Sequence, residues 1–283
     1  MEILEHPQQI LSWYGEAGVD EAMGEEPLDR YALAAQAAKN RTAQAEQVLK
    51  AGEAERAALS APVLKSGLVS VQPVDNGVSE ESIKKAVEVA AQAKTIDDLR
   101  AALETFEGCP LKNTAMNLVF GDGRPDAKVM LIGDVPGADE DRQGVPFVGP
   151  AGMLLNKMLA SIGLDRSEVF VSNAVFWRPP GKRSALAGEI AVCLPFVERM
   201  IELVDPMILI TLGGPTTHSL LAQQGNISKL VGRWFTYENP RMSHPIAACG
   251  LYHPEFLLKS PTMKRQAWAN LLAIQEKLKD LKA

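Results

Sequence analysis

The chain has 283 residues, 46% of them hydrophobic and 23% charged, with a formal net charge of −6. These values describe an ordinary globular polypeptide of one large or two smaller domains, and they exclude a collagen-like, disulfide-stapled or wholly disordered chain. No run of about 18 apolar residues occurs, so no membrane-spanning helix is expected, and three cysteines give no disulfide framework, which points to a reducing cytoplasm. The acidic start, Met1 to Glu5, lacks the basic end and apolar core of a signal peptide.

The charge is unevenly spread. Residues 1–107 carry 19 Asp or Glu against 10 Lys or Arg, whereas residues 108–283 carry 16 against 19. A mildly basic C-terminal part is compatible with phosphate-backbone binding without requiring it.

Along the chain, Ile10, Trp13, Tyr14 and Val19 fall at helical spacing within 7–23. Residues 28–60 are rich in Ala, Gln, Glu and Arg, with high helix propensity but few large apolar side chains to build a core. Pro62, Gly67, Pro73 and Gly77 mark a linker over 61–79. The expected organisation is therefore a helical Ala/Glu-rich N-terminal extension over 1–60, that linker, and a folded domain over 80–283. Two short helices are predicted at 80–93 and 95–106, the second capped by Thr95 with Asp98 as its reciprocal partner.

Beyond residue 109 the texture changes. Short apolar runs at 129–132, 169–171, 207–212 and 246–251 alternate with helical patterns near 151–162, 187–204 and 262–280. Buried runs alternating with helices predict an α/β fold, a three-layer αβα arrangement around a short, mainly parallel four-stranded sheet. In such folds ligands bind beyond the C-terminal strand ends. Asp134, Asn173 and His253 lie there, after the first, second and fourth runs. His244, in a similar His-Pro dipeptide, precedes the last run and is set aside.

The stretch Gly133-Asp134-Val135-Pro136-Gly137-Ala138-Asp139-Glu140-Asp141, continuing to Gly144-Val145-Pro146-Phe147-Val148-Gly149-Pro150-Ala151-Gly152, is a Gly/Pro-punctuated loop with four acids and one aromatic. It is no P-loop, because the Gly-Lys-Ser/Thr ending is absent. It resembles the first motif of the uracil-DNA glycosylase superfamily, closest to the family-4 type. Asn173-Ala174-Val175-Phe176-Trp177-Arg178-Pro179-Pro180 and Tyr252-His253-Pro254-Glu255-Phe256-Leu257-Leu258, with Lys264 and Trp268 following, resemble two further motifs of that family, in the same order, over about residues 105–280.

The resemblance implies removal of uracil from DNA by hydrolysis of the N-glycosidic bond. It implies Asp134 and His253 as catalytic residues, and Gly133, Glu140, Phe147 and Asn173 as the base pocket. Phe147 would stack on the flipped base, the Asn173 amide would read N3–H and O4, and His253 would hydrogen-bond O2 as negative charge grows on the uracil. Asp134 would help the oxocarbenium-like sugar or the attacking water, with Glu140 near the 5-position of the base. DNA contacts are expected from Arg178, Lys182, Arg183, Lys264 and Arg265, with Leu257 or Leu258 as the wedge that fills the vacated stack.

Two departures from the family stand out. Family-4 enzymes carry four cysteines that ligate an iron–sulfur cluster. Here Cys109 and Cys193 fall at two of those positions, while Phe106 and Trp177 occupy the others, so no cluster and no metal site is expected. Asp134 stands where that family has Glu. The loop 181–186 holds no histidine, so covalent trapping of substrate is not expected either. Uracil-containing DNA is the expected partner of a monomer with no membrane attachment, the extension being a candidate arm for a repair or replication partner. A glycosylase for another deaminated base, such as hypoxanthine, and a catalytically weak DNA-binding protein of the same fold are the alternatives.

Overall fold

The structure, a computed structural model, describes residues 78–282. The expected extension over 1–60, and all but the last two residues of the expected linker, lie outside these.

Two helices open the described chain. Helix α1 (Glu80–Gln92) starts where the Ser79 hydroxyl accepts the Ser82 N–H at 3.1 Å. Helix α2 (Ile96–Thr105) carries the predicted reciprocal cap, in which Thr95 Oγ1 accepts the Asp98 N–H at 3.1 Å and the Asp98 carboxylate accepts the Thr95 N–H at 3.0 Å. Two donors that the first helical turn cannot pair internally are satisfied this way.

The sheet has six strands: β1 (Gly121–Gly123), β2 (Val129–Gly133), β3 (Phe170–Asn173), β4 (Ile208–Leu212), β5 (Trp234–Tyr237) and β6 (Ile246–Leu251), in the order β1-β3-β2-β4-β6-β5. The four runs read as strands are the parallel centre, β3-β2-β4-β6. Both edges are antiparallel, β1 against β3 and β5 against β6. The four-stranded, mainly parallel expectation is therefore corrected to a six-stranded mixed sheet. The physical reason lies in the edge sequences. Gly121-Asp122-Gly123 has no apolar side chain, and Trp234-Phe235-Thr236-Tyr237 is interrupted by Thr236 and exposes Trp234 and Thr236, so neither leaves the continuous apolar run of a strand buried on both faces.

Helices cover both faces. On one side, helix α5 (Ala187–Val204) presents Val192, Cys193, Phe196, Val197, Met200, Ile201 and Val204 at helical spacing, and α1 and α2 pack against it. Alternate side chains of β2, Met130 and Ile132, point into this layer. On the other side, Val129 and Leu131 meet helix α4 (Pro150–Ala160) and helix α9 (Lys264–Lys282) through Leu155, Leu159, Leu271 and Ile274. Four short helices occupy the connections after strand ends or between strands: α3 (Ala138–Gln143), α6 (Gly214–Leu221), α7 (Ile227–Leu230) and α8 (Pro254–Lys259). Among the described residues no helix is long and apolar enough to cross a membrane.

The cap of α2 makes a measurable contribution. Thr95→Ala is expected to lower stability by about 1 kcal/mol, read as a lower urea midpoint with unchanged slope; an unchanged midpoint would contradict it.

Candidate active site

The parallel strands β2, β3, β4 and β6 end on the same side of the sheet, and the polar residues just beyond them converge. Gly133 and Asn173 are paired across β2 and β3. At Gly133 the chain has no room for a side chain. A Cβ there would stand 2.5 Å from Phe147 Cζ and 2.6 Å from Asn173 Oδ1. The aromatic ring and the amide therefore meet directly over the end of β2. Both are buried, and among the described residues the Asn173 amide makes no hydrogen bond, so its donors and acceptor face the cavity unspent.

Phe147 holds a backbone conformation with φ of 55°, a left-handed turn that a bulky residue rarely adopts. Strain of this kind costs about 1–3 kcal/mol and persists only where neighbours impose it. Glu140 supplies part of that constraint. Its Oε1 accepts the N–H groups of Val148 at 3.1 Å and Gly149 at 3.0 Å, the two residues after Phe147. Arg166 adds a second hold, donating to the Pro146 carbonyl at 2.8 Å while its Nε pairs with Asp122 of β1 at 3.0 Å. Glu140 lines the cavity as expected, but with one oxygen committed to the Phe147 loop.

His253 caps α8. Its Nδ1 accepts the Glu255 N–H at 3.2 Å, which leaves the single proton of a neutral imidazole on Nε2. Its ring centroid lies 5.6 Å from that of Phe147. Burial holds the imidazole below the ordinary histidine range, against the opposing pull of Asp134, Glu255 and Glu140. Burial thus favours the neutral ring, with its proton on Nε2. For Asp134 burial acts in the other direction, pushing the carboxyl above the usual range, while hydrogen bonds from Thr216 and the nearby His253 pull it back. Thr216 is a residue that sequence reasoning passes over; Gly-Gly-Pro-Thr after a strand reads only as a helix start.

Two neighbouring lobes, which share His253, Lys182 and Arg183 in their walls, make up the cavity. One, of about 380 Å³, is lined by Glu140, Phe147, Asn173 and His253, with Arg178, Lys182 and Leu258 at its rim. The other, of about 290 Å³, contains Asp134 and Thr216.

The expected DNA-contacting residues divide. Lys182 is exposed and forms no ion pair among the described residues. Arg183 is tied in a two-pronged pair to the buried Glu189, at 2.8 and 2.6 Å. Arg178 lies 3.9 Å from the buried Asp141 carboxylate. Lys264 lines a separate groove with Trp268, and neither it nor Arg265 reaches the cavity. Of the two candidate wedge residues, Leu257 is 1% exposed and packs into the core, whereas Leu258 is 41% exposed at the rim of the cavity.

Cys109 and Cys193 are buried together, and their mutual hydrogen bond pulls the two thiols apart, lowering Cys109 and raising Cys193. Phe106 packs edge-on against Phe196 at 5.1 Å, and Trp177 packs edge-on against Phe176 at 6.3 Å. Two thiols flanked by aromatic rings do not furnish a four-thiolate set, and among the described residues no three His, Cys, Asp or Glu side chains converge as a metal site.

The tautomer and charge of His253 are open to direct measurement. Its NMR titration midpoint is expected to fall below the ordinary histidine value near 6.5, with the proton on Nε2; a midpoint above that value would contradict the burial argument.

With this geometry in place, comparison with known proteins is specific. The family model described as the uracil DNA glycosylase superfamily matches residues 120–272, from the edge of β1 into α9. The chain is 33% identical over 176 residues to a Type-4 uracil-DNA glycosylase of Sulfurisphaera tokodaii, a match covering 60% of this chain and 79% of the relative. It is 32% identical over 187 residues to the Type-4 uracil-DNA glycosylase of Archaeoglobus fulgidus, covering 65% and 93%. With that of Saccharolobus solfataricus it shares 35% identity over 188 residues, covering 65% and 86%. The chain belongs to the uracil-DNA glycosylase superfamily, on its family-4-like branch.

Proposed function

We propose that the protein is a monofunctional uracil-DNA glycosylase, which takes uracil out of the DNA stack and hydrolyses its N-glycosidic bond to start base-excision repair. The observation that carries this reading is the convergence of the Phe147 ring and the unpaired Asn173 amide over Gly133, beside a neutral His253.

A base in the larger lobe stacks on Phe147, a contact of about 1–3 kcal/mol. The Asn173 amide accepts from N3–H and donates to O4; cytosine, with the reverse pattern at these positions, leaves that buried amide mismatched. As the bond from the sugar C1′ to N1 breaks, its electron pair leaves with the base. His253 Nε2–H donates to O2, where the negative charge collects, and a neutral donor does so without needing to be charged first. In the second lobe the Asp134 carboxylate faces the sugar side. There it stabilises the oxocarbenium-like C1′ and takes the proton of the water that adds to it. Leu258 is the proposed wedge and Lys182 the proposed phosphate contact. The proposed setting is the cytoplasm, with the protein acting as a monomer and without an iron–sulfur cluster.

The test is a labelled oligonucleotide with one deoxyuridine, treated with alkali after incubation. Excision by the wild type, abolished in Asn173→Ala, is expected. Asp134→Asn is expected to lose roughly a hundredfold or more. No excision from single-stranded or duplex substrate would overturn the reading. Iron analysis of the purified protein is expected to find well under one atom per chain; a stoichiometric cluster absorbance would overturn the cofactor proposal.

A further inference from the structure

Asp134 is one methylene shorter than the glutamate of the family pattern, and its carboxylate is fixed from an unexpected quarter. The first turn of α6 stands directly behind it. The Thr216 N–H donates to Asp134 Oδ1 at 3.0 Å, and the Thr216 hydroxyl, fully buried, lies between the same oxygen and the Gly133 carbonyl at 2.9 Å. Gly213 makes the approach feasible, since a Cβ there would stand 2.3 Å from Asp134 Oδ2. Among the described residues Oδ2 accepts no hydrogen bond, so the carboxylate is held through one oxygen while the other packs unbonded against Gly213, and Asp134 lines the second lobe.

We propose that Thr216 is a positioning residue for the glycosylase reaction, its hydroxyl and amide locking the Asp134 carboxylate on the first turn of α6 through Oδ1 and leaving Oδ2 without a hydrogen-bond partner. This rests on the catalytic reading of Asp134. The hydroxyl has one proton and two acceptors in reach. An ionised carboxylate is a stronger acceptor than a carbonyl, so the hydroxyl favours ionised Asp134 and falls back on Gly133 when Asp134 is protonated. Burial opposes ionisation, and Thr216 works against burial. The other charged or titratable groups around Asp134 are His253, Glu255 and Lys259 from the β6 end and α8, His218 from α6, and Lys182 and Arg183 from the loop after β3, with Glu140 acting beyond His253. The Thr216 hydroxyl touches none of these, so its removal acts through Asp134.

The experiment is the pH profile of kcat/KM and of kcat on a deoxyuridine oligonucleotide for wild type, Thr216→Val, Thr216→Ala, Thr216→Ser and Asp134→Asn. Loss of a bond that favours the charged form raises the carboxyl further, so the acid limb of Thr216→Val is expected to move to higher pH by about one unit. Below the limb, activity falls roughly tenfold relative to wild type. On the plateau kcat falls while KM holds, and Thr216→Ser restores both limb and plateau. The limb position does not depend on how much of a preparation is folded, and Thr216→Ala reports the same loss if the valine variant folds poorly. Profiles of Thr216→Val and Thr216→Ala that superimpose on wild type, with Asp134→Asn inactive, would overturn this proposal and leave the catalytic reading standing. An Asp134→Asn variant with wild-type activity would overturn both.

Discussion

Gly133 is where strand, loop and site meet, and the lack of a side chain there governs the rest. The parallel register places Asn173 beside it, and the Phe147 ring fills the space a Cβ would claim. Neither side chain reaches that place alone. Asn173 is delivered by the end of a fully buried strand, and Phe147 by a left-handed turn held from the Glu140 and Arg166 sides. The rigid centre of the sheet thus carries a loop under strain, and that strain keeps the aromatic face aimed at the cavity.

Charge in the site is handled by the same device three times. Three ionisable groups that border the cavity are met by backbone N–H groups: Glu140 by Val148 and Gly149, Asp134 by Thr216, and His253 by Glu255. These dipoles are fixed by folding and need no rearrangement when charge develops during reaction. Asp134 and His253 depart in opposite directions from their ordinary protonation behaviour, and burial is the cause. Burial disfavours the charged form of each, raising the acid and lowering the base, and the partners only moderate it.

What was legible in the sequence follows from what each element buries. The four central strands leave continuous apolar runs because both of their faces are covered, whereas Gly121-Asp122-Gly123 and Trp234-Phe235-Thr236-Tyr237 leave none. The residues that line the larger lobe were readable because they cluster around Gly/Pro punctuation at strand ends. The partners of the cations were not. The Arg183–Glu189 pair joins a loop to the start of α5, and no periodicity announces it. The choice between Leu257 and Leu258 turns on the phase of a six-residue helix, which is too short to show a pattern. Thr216 reaches Asp134 from the next strand's helix, 82 residues away in the chain.

Beside Cys109 and Cys193, Phe106 and Phe196 bury the surface between α2 and α5 directly. The account's central claim is that one flipped base is read between Phe147 and Asn173 while Asp134 attends the sugar. A crystal structure with DNA carrying a non-hydrolysable deoxyuridine analogue tests it most directly. The account predicts the base on the Phe147 face with N3 and O4 at the Asn173 amide, His253 at O2 and Asp134 beside C1′. A base seated elsewhere, or one with the Asn173 amide unpaired, would contradict it.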